Sequence, residues 1–61
     1  MKRYNVSFEK NGVYQSNLVE TDKSPVEIGL YFRDVKKASH VFGVDFATRD
    51  DERPGKPVLK I

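Results

Sequence analysis

YNVSFEKNGVYQSNL, residues 4–18, is the stretch whose reading decides the fold. Tyr4, Val6 and Phe8 alternate with Asn5, Ser7 and Glu9, the period of a strand with one buried face. Asn11-Gly12 interrupts the alternation and Val13 starts a second run, so strands over 2–10 and 13–21 joined as a hairpin are predicted. Two loops compete for the turn. A two-residue Asn-Gly loop pairs Lys10 with Val13, which sets Phe8 opposite Gln15 and Val6 opposite Asn17. A three-residue loop pairs Glu9 with Val13, and so sets Phe8 opposite Tyr14, Val6 opposite Ser16 and Tyr4 opposite Leu18. A slip of one residue turns every side chain of a strand to the other face. The three-residue loop collects the larger apolar set on one side, with Gly12 at the left-handed position of a bulged turn, and is the expected register. It leaves Val13 and Val19 on the outer face.

Downstream, Ser24-Pro25-Val26-Glu27 has the form of a capping box with proline at the first helical position. Ile28, Tyr31, Phe32 and Val35 then recur at i, i+3, i+4 and i+7, a stripe for packing on a sheet. Lys36 and Lys37 suit the negative end of a helix dipole, so a helix over about residues 25–38 is predicted. Gly29 lies inside it, beside the stripe, at a cost of about 1 kcal/mol relative to alanine.

Residues 41–48 read as a third strand, with Phe42, Val44 and Phe46 facing the core and Gly43, Asp45 and Ala47 outside. RDDERPGK, residues 49–56, is charged and turn-rich, hence loop. Residues 57–61 suit a short fourth strand with Leu59 and Ile61 inward. The fold class is therefore α+β: a hairpin, one helix and a second hairpin, ββαββ, with one face of a four-stranded sheet covered by the helix. The alternative is a three-stranded ββαβ sheet with a C-terminal tail. In element order and length the chain is similar to the small immunoglobulin-binding domains of bacterial surface proteins, which have the β-grasp arrangement. That resemblance implies first and last strands side by side and parallel in the sheet centre, with the second strand at an edge. It implies nothing about binding residues.

A chain of 61 residues makes one domain, 1–61. At this size only about 60% of the unfolded surface is buried on folding. With no cysteine and one histidine, neither a disulfide framework nor a zinc site can compensate. Stability must come from packed aromatics and branched residues, which leaves no room for a large internal ligand cavity. No apolar run approaches the roughly 20 residues that span a bilayer. Met1-Lys2-Arg3 leads into no signal-peptide core, so the expectation is a soluble, cytoplasmic protein. A net charge of +2 is too small to announce a nucleic-acid binder.

Chemistry-bearing constellations are sparse. Ser39-His40 is a sequential pair, and neighbours in sequence rarely reach attack geometry; a solvated helix end is the plainer reading. Asp50-Asp51-Glu52 lacks the alternating ligands and the glycine of a calcium loop, and Arg49 and Arg53 flank it. Gly12, Gly29, Gly43 and Gly55 are scattered and form no phosphate-binding loop. Neither catalytic residues, nor a cofactor, nor a metal is expected, and the chain reads as a non-enzyme.

Surfaces remain. Arg33, Lys36, Lys37 and His40, at i, i+3, i+4 and i+7, form a basic stripe if the helix extends that far; cations there also simply stabilise a helix end. Val26 and Leu30 lie off the buried stripe and near the basic one, an apolar anchor with a charged rim. As an edge, the second strand offers Gln15, Ser16 and Asn17 without lysine or proline guards, open to a partner strand or to a homodimer. The leading expectation is a small accessory or regulatory protein of bacterial or phage type that binds another protein. The runner-up is a weak nucleic-acid binder using the basic stripe. Against it, all strand aromatics fall on the face assigned to the helix, leaving none to stack on bases.

Overall fold

Asn11 and Gly12 both take positive φ, 54° and 78°, in the computed structural model, which describes residues 2–48, 55 and 57–61. Two consecutive left-handed residues make the tight hairpin turn whose twist matches that of the flanking strands. β1 (Lys2–Lys10) and β2 (Val13–Thr21) are accordingly closed by a two-residue loop, with Lys10 opposite Val13, Phe8 opposite Gln15 and Tyr4 opposite Val19. This corrects the three-residue register. Every side chain of β2 therefore faces opposite to expectation. Val19 and Thr21 join Tyr4, Val6 and Phe8 on the helix side and are fully buried, whereas Tyr14, Ser16 and Leu18 turn to the outer face, where Leu18 is nonetheless buried and Tyr14 exposed.

α1 (Pro25–Asp34) starts where the sequence says it should. The Ser24 hydroxyl accepts from the Glu27 N–H at 3.3 Å and donates to the Glu27 carboxylate at 3.2 Å. Ile28 and Phe32 are fully buried against Tyr4, Val6, Phe8 and Val19, with the Phe8 and Phe32 rings 5.0 Å apart. The helix ends four residues before the expected boundary. Lys37 adopts φ 60°, and the Ala38 N–H reaches back to the Phe32 carbonyl at 3.0 Å. Pairing with β1 dictates this stop, because the Ser39 N–H and hydroxyl both donate to the Glu9 carbonyl, at 2.8 and 3.0 Å. Ala38 is thereby drawn into the core, while Val35, expected in the buried stripe, is exposed.

β3 (His40–Phe46) runs antiparallel to β1 along the edge away from β2, with a register shift between Ser7 and Phe8. Val41 pairs with Phe8 and Gly43 with Ser7, so Phe42 is the extra residue of a bulge. Alternation is reset there. Val41 and Val44 pack on the core, but Phe42 points outward, against the expectation of a buried ring. Phe46 shares the helix-side face with Tyr4, its ring stacked at 5.2 Å, but lies at the sheet margin and is mostly exposed.

β4 (Val58–Lys60) pairs parallel with β2 at Leu18–Glu20, completing a four-stranded mixed sheet in the order β3-β1-β2-β4 with α1 on one face. The α+β ββαββ architecture is present, and the three-stranded alternative is not. Strand order departs from β-grasp: first and last strands are not neighbours, and β3 and β4 lie at opposite edges. Once β3 occupies the free edge of β1, the last strand finds its place beside β2. There Leu59 and Ile61 pack on the core, and the buried Thr21 hydroxyl donates to the Ile61 carbonyl at 3.0 Å. Among the described residues no helix is long and apolar enough to cross a membrane.

Candidate functional site

Ten residues of α1 present two apolar lines. One, Ile28 and Phe32, is spent on the sheet; the other, Val26 and Leu30, is left out of it, 73% and 43% exposed. Between that second line and the start of β3 runs a groove of about 410 Å³. Its helix wall is Val26, Gly29, Leu30 and Arg33, and its strand wall is Ser39, His40 and Val41. Gly29 gains its explanation here. A β-carbon at that position would meet nothing within 4 Å, so the glycine is not forced by packing. Its missing side chain keeps the groove open along one helical turn. The Arg33 guanidinium stands at the rim, 3.4 Å from the Asp34 carboxylate, with both side chains about two-thirds exposed. Such a solvated pair adds little stability and leaves the guanidinium free to exchange partners.

Of the expected interaction surface, Val26, Leu30, Arg33 and His40 meet at this groove. Lys36 and Lys37 do not. They follow the helix in the turn that leads to β3, so the expected i, i+3, i+4, i+7 stripe of Arg33, Lys36, Lys37 and His40 does not form on one helix face. His40 belongs to β3 instead. The expected edge is kept only in part, because β4 covers the far half of β2 and not Gln15, Ser16 and Asn17. β2 is interior, flanked by β1 and, over Leu18–Glu20, by β4; Gln15, Ser16 and Asn17 precede the segment that β4 pairs. The strand at the margin beside the groove is β3, which carries no lysine or proline but does carry the bulge, an edge-blunting device.

Reversing β2 has a second consequence. Tyr14 from β2 and Phe42 from the β3 bulge lean toward each other over β1 on the outer sheet face, ring centroids 5.6 Å apart and planes 32° apart. They remain 65% and 53% exposed. His40 stands edge-on to Phe42 with centroids 4.7 Å apart. The expectation that strand aromatics all face the helix is therefore overturned. The sequence signal that finds Phe42 is Gly43, since a glycine inside a strand pattern marks a bulge. On β1 Glu9 takes the register position opposite Tyr14 on one side and His40 on the other. Asp45 occupies the same face farther along β3, opposite Asn5.

Among the described residues no group of three or more His, Asp or Glu side chains is placed to hold a metal ion. The acidic run Asp50-Asp51-Glu52 lies outside the described residues. Comparison with family models, with curated proteins and with solved structures finds no match, so function has to be read from this chain's own surfaces.

Proposed function

We propose that this chain is a non-enzymatic interaction module that binds another protein through the groove between α1 and β3. The observation that carries the reading is the convergence of exposed Val26 and Leu30, the open space at Gly29 and the rim cation Arg33 against the start of β3. An apolar floor with one charged rim residue suits an apolar side chain of a partner, held in register by a polar contact. Val26 and Leu30, one helical turn apart and both lining the groove, form an exposed apolar pair that a partner's apolar side chain would cover. An accessory or regulatory role in the cytoplasm belongs to the proposal, and a sequence without cysteine suits that reducing compartment.

The test is affinity capture from host lysate on immobilised wild-type chain and on Leu30→Asp. Leu30 is far from fully buried, so the variant is expected to keep its circular dichroism and urea midpoint while losing the captured protein. Capture of the same proteins by both columns would refute the groove.

Nucleic-acid binding is the weaker reading. The exposed Tyr14 and Phe42 rings favour it, since bases stack on such platforms. Glu9 and Asp45 on the same face oppose it by repelling phosphates. Its sign is retention on a DNA or RNA column that falls steeply with salt.

A further inference from the structure

We infer that the outer sheet face carries a second binding site, formed by Tyr14, Phe42 and Glu9, that takes a cationic side chain from a basic polypeptide. The site lies on the sheet face away from the helix and shares only His40 with the groove. It stands on two observations that point to the same ligand chemistry.

The first is ring geometry. The Tyr14 and Phe42 rings lie 5.6 Å apart, inclined by 32° and each more than half exposed, and His40 braces Phe42 edge-on at 4.7 Å. Aromatic faces carry the negative end of the ring quadrupole, so partly exposed rings held close together attract a weakly hydrated cation such as guanidinium. Packing does not require this arrangement. The bulge spends a residue of β3 to direct Phe42 out of the core, and bulges commonly serve to re-aim a side chain.

The second is charge. Glu20 on this face is already paired, its carboxylate 3.0 Å from the Arg3 Nε. Glu9 and Asp45 are not: among the described residues neither carboxylate has an ion pair or a hydrogen bond. Glu9 sits in the register position between Tyr14 and His40, and Asp45 lies two residues beyond Gly43 on the same face. Two unpaired acids on the face that carries two exposed rings repel a phosphate backbone and favour a cation. An arginine laid on the rings can turn its N–H groups to Glu9 and form a charge-assisted pair there, which a neutral side chain cannot do.

A capped peptide carrying two arginines and its citrulline twin, equal in shape but uncharged, provide the test, read by two-dimensional NMR of the full chain. The expected result is saturable shifts at Ser7, Glu9, Tyr14, Ser16 and His40–Asp45 with the arginine peptide and none with the twin. Phe42→Leu, a change at an exposed position, weakens binding about two- to fivefold, the factor of an exposed cation–π contact. Glu9→Gln weakens it too. Leu30→Asp leaves these shifts intact, which separates failure of this site from failure of the groove. Equal shifts with the citrulline twin, stronger shifts at the same signals with oligothymidine, or no shifts at millimolar arginine peptide would each overturn the inference.

Discussion

Replacing Gly29 by alanine should make this protein more stable and a poorer binder. Gly29 is in the interior of α1, away from both caps, and its φ is not positive. In such a position glycine is about 1 kcal/mol less favourable than alanine, because the unfolded chain loses more freedom at glycine. The usual opposing term is steric, and it is absent: a β-carbon at Gly29 meets nothing within 4 Å. The net change is then about 1 kcal/mol of added stability. For a domain of this size that raises Tm by roughly 4–8 °C. Thermal and urea unfolding followed by circular dichroism measure it, with an unchanged urea slope showing that the same surface is exposed on unfolding. The new methyl group stands in the α1–β3 groove, so capture of a partner should weaken while the midpoint rises. An unchanged or lower midpoint would refute the reasoning, since it would mean that position 29 is either not helical or not open.

Two further substitutions probe the frame that holds these surfaces. Thr21→Val keeps the shape of a fully buried side chain but removes the hydroxyl that donates to the Ile61 carbonyl at 3.0 Å and accepts from the Lys23 N–H at 3.1 Å. It should cost about 1–3 kcal/mol by urea unfolding and speed amide exchange at Leu59 and Ile61. Gly12→Ala forces a side chain onto a backbone at φ 78°, so a loss of about 1–2 kcal/mol is expected. An unchanged urea midpoint would contradict the tight turn.

The sequence was a good guide to local elements and a poor one to pairing. Both hairpin strands and the helix start were legible because alternation and the Ser24–Glu27 box are local signals with a direct physical cause. The β2 register was not decided by counting apolar residues, since β2 carries them on both faces: Val13 and Val19 on one, Tyr14 and Leu18 on the other. What decided it was the turn, where Asn-Gly accepts two successive left-handed residues more readily than other pairs. Trusting turn chemistry over the tally of buried residues would have placed Tyr14 outward.

Phe42 departs from its expected face for a related reason. A strict period of two has no place for a bulge, although Gly43 signalled one. The helix end had no such signal: Lys37 is not a usual left-handed residue, and only the long-range bond from Ser39 to Glu9 accounts for it. Strand order depends on which sheet edges remain free as pairing proceeds, and no local pattern encodes that. Of the expected surface, the part carried by helical spacing, Val26, Leu30 and Arg33, was legible because the helix exists there; the part resting on the overlong helix, Lys36 and Lys37, was not.

Assignment of both faces comes down to the pairing of β1 with β2. Close Hα–Hα proximity across the hairpin reports it without mutation, because the closely spaced pairs of an antiparallel ladder give strong cross-strand NOEs. Contacts joining Glu9 to Tyr14, Ser7 to Ser16 and Asn5 to Leu18 are the expected pattern. Contacts joining Phe8 to Tyr14 and Val6 to Ser16 would return Tyr14 to the helix side and dissolve the aromatic site.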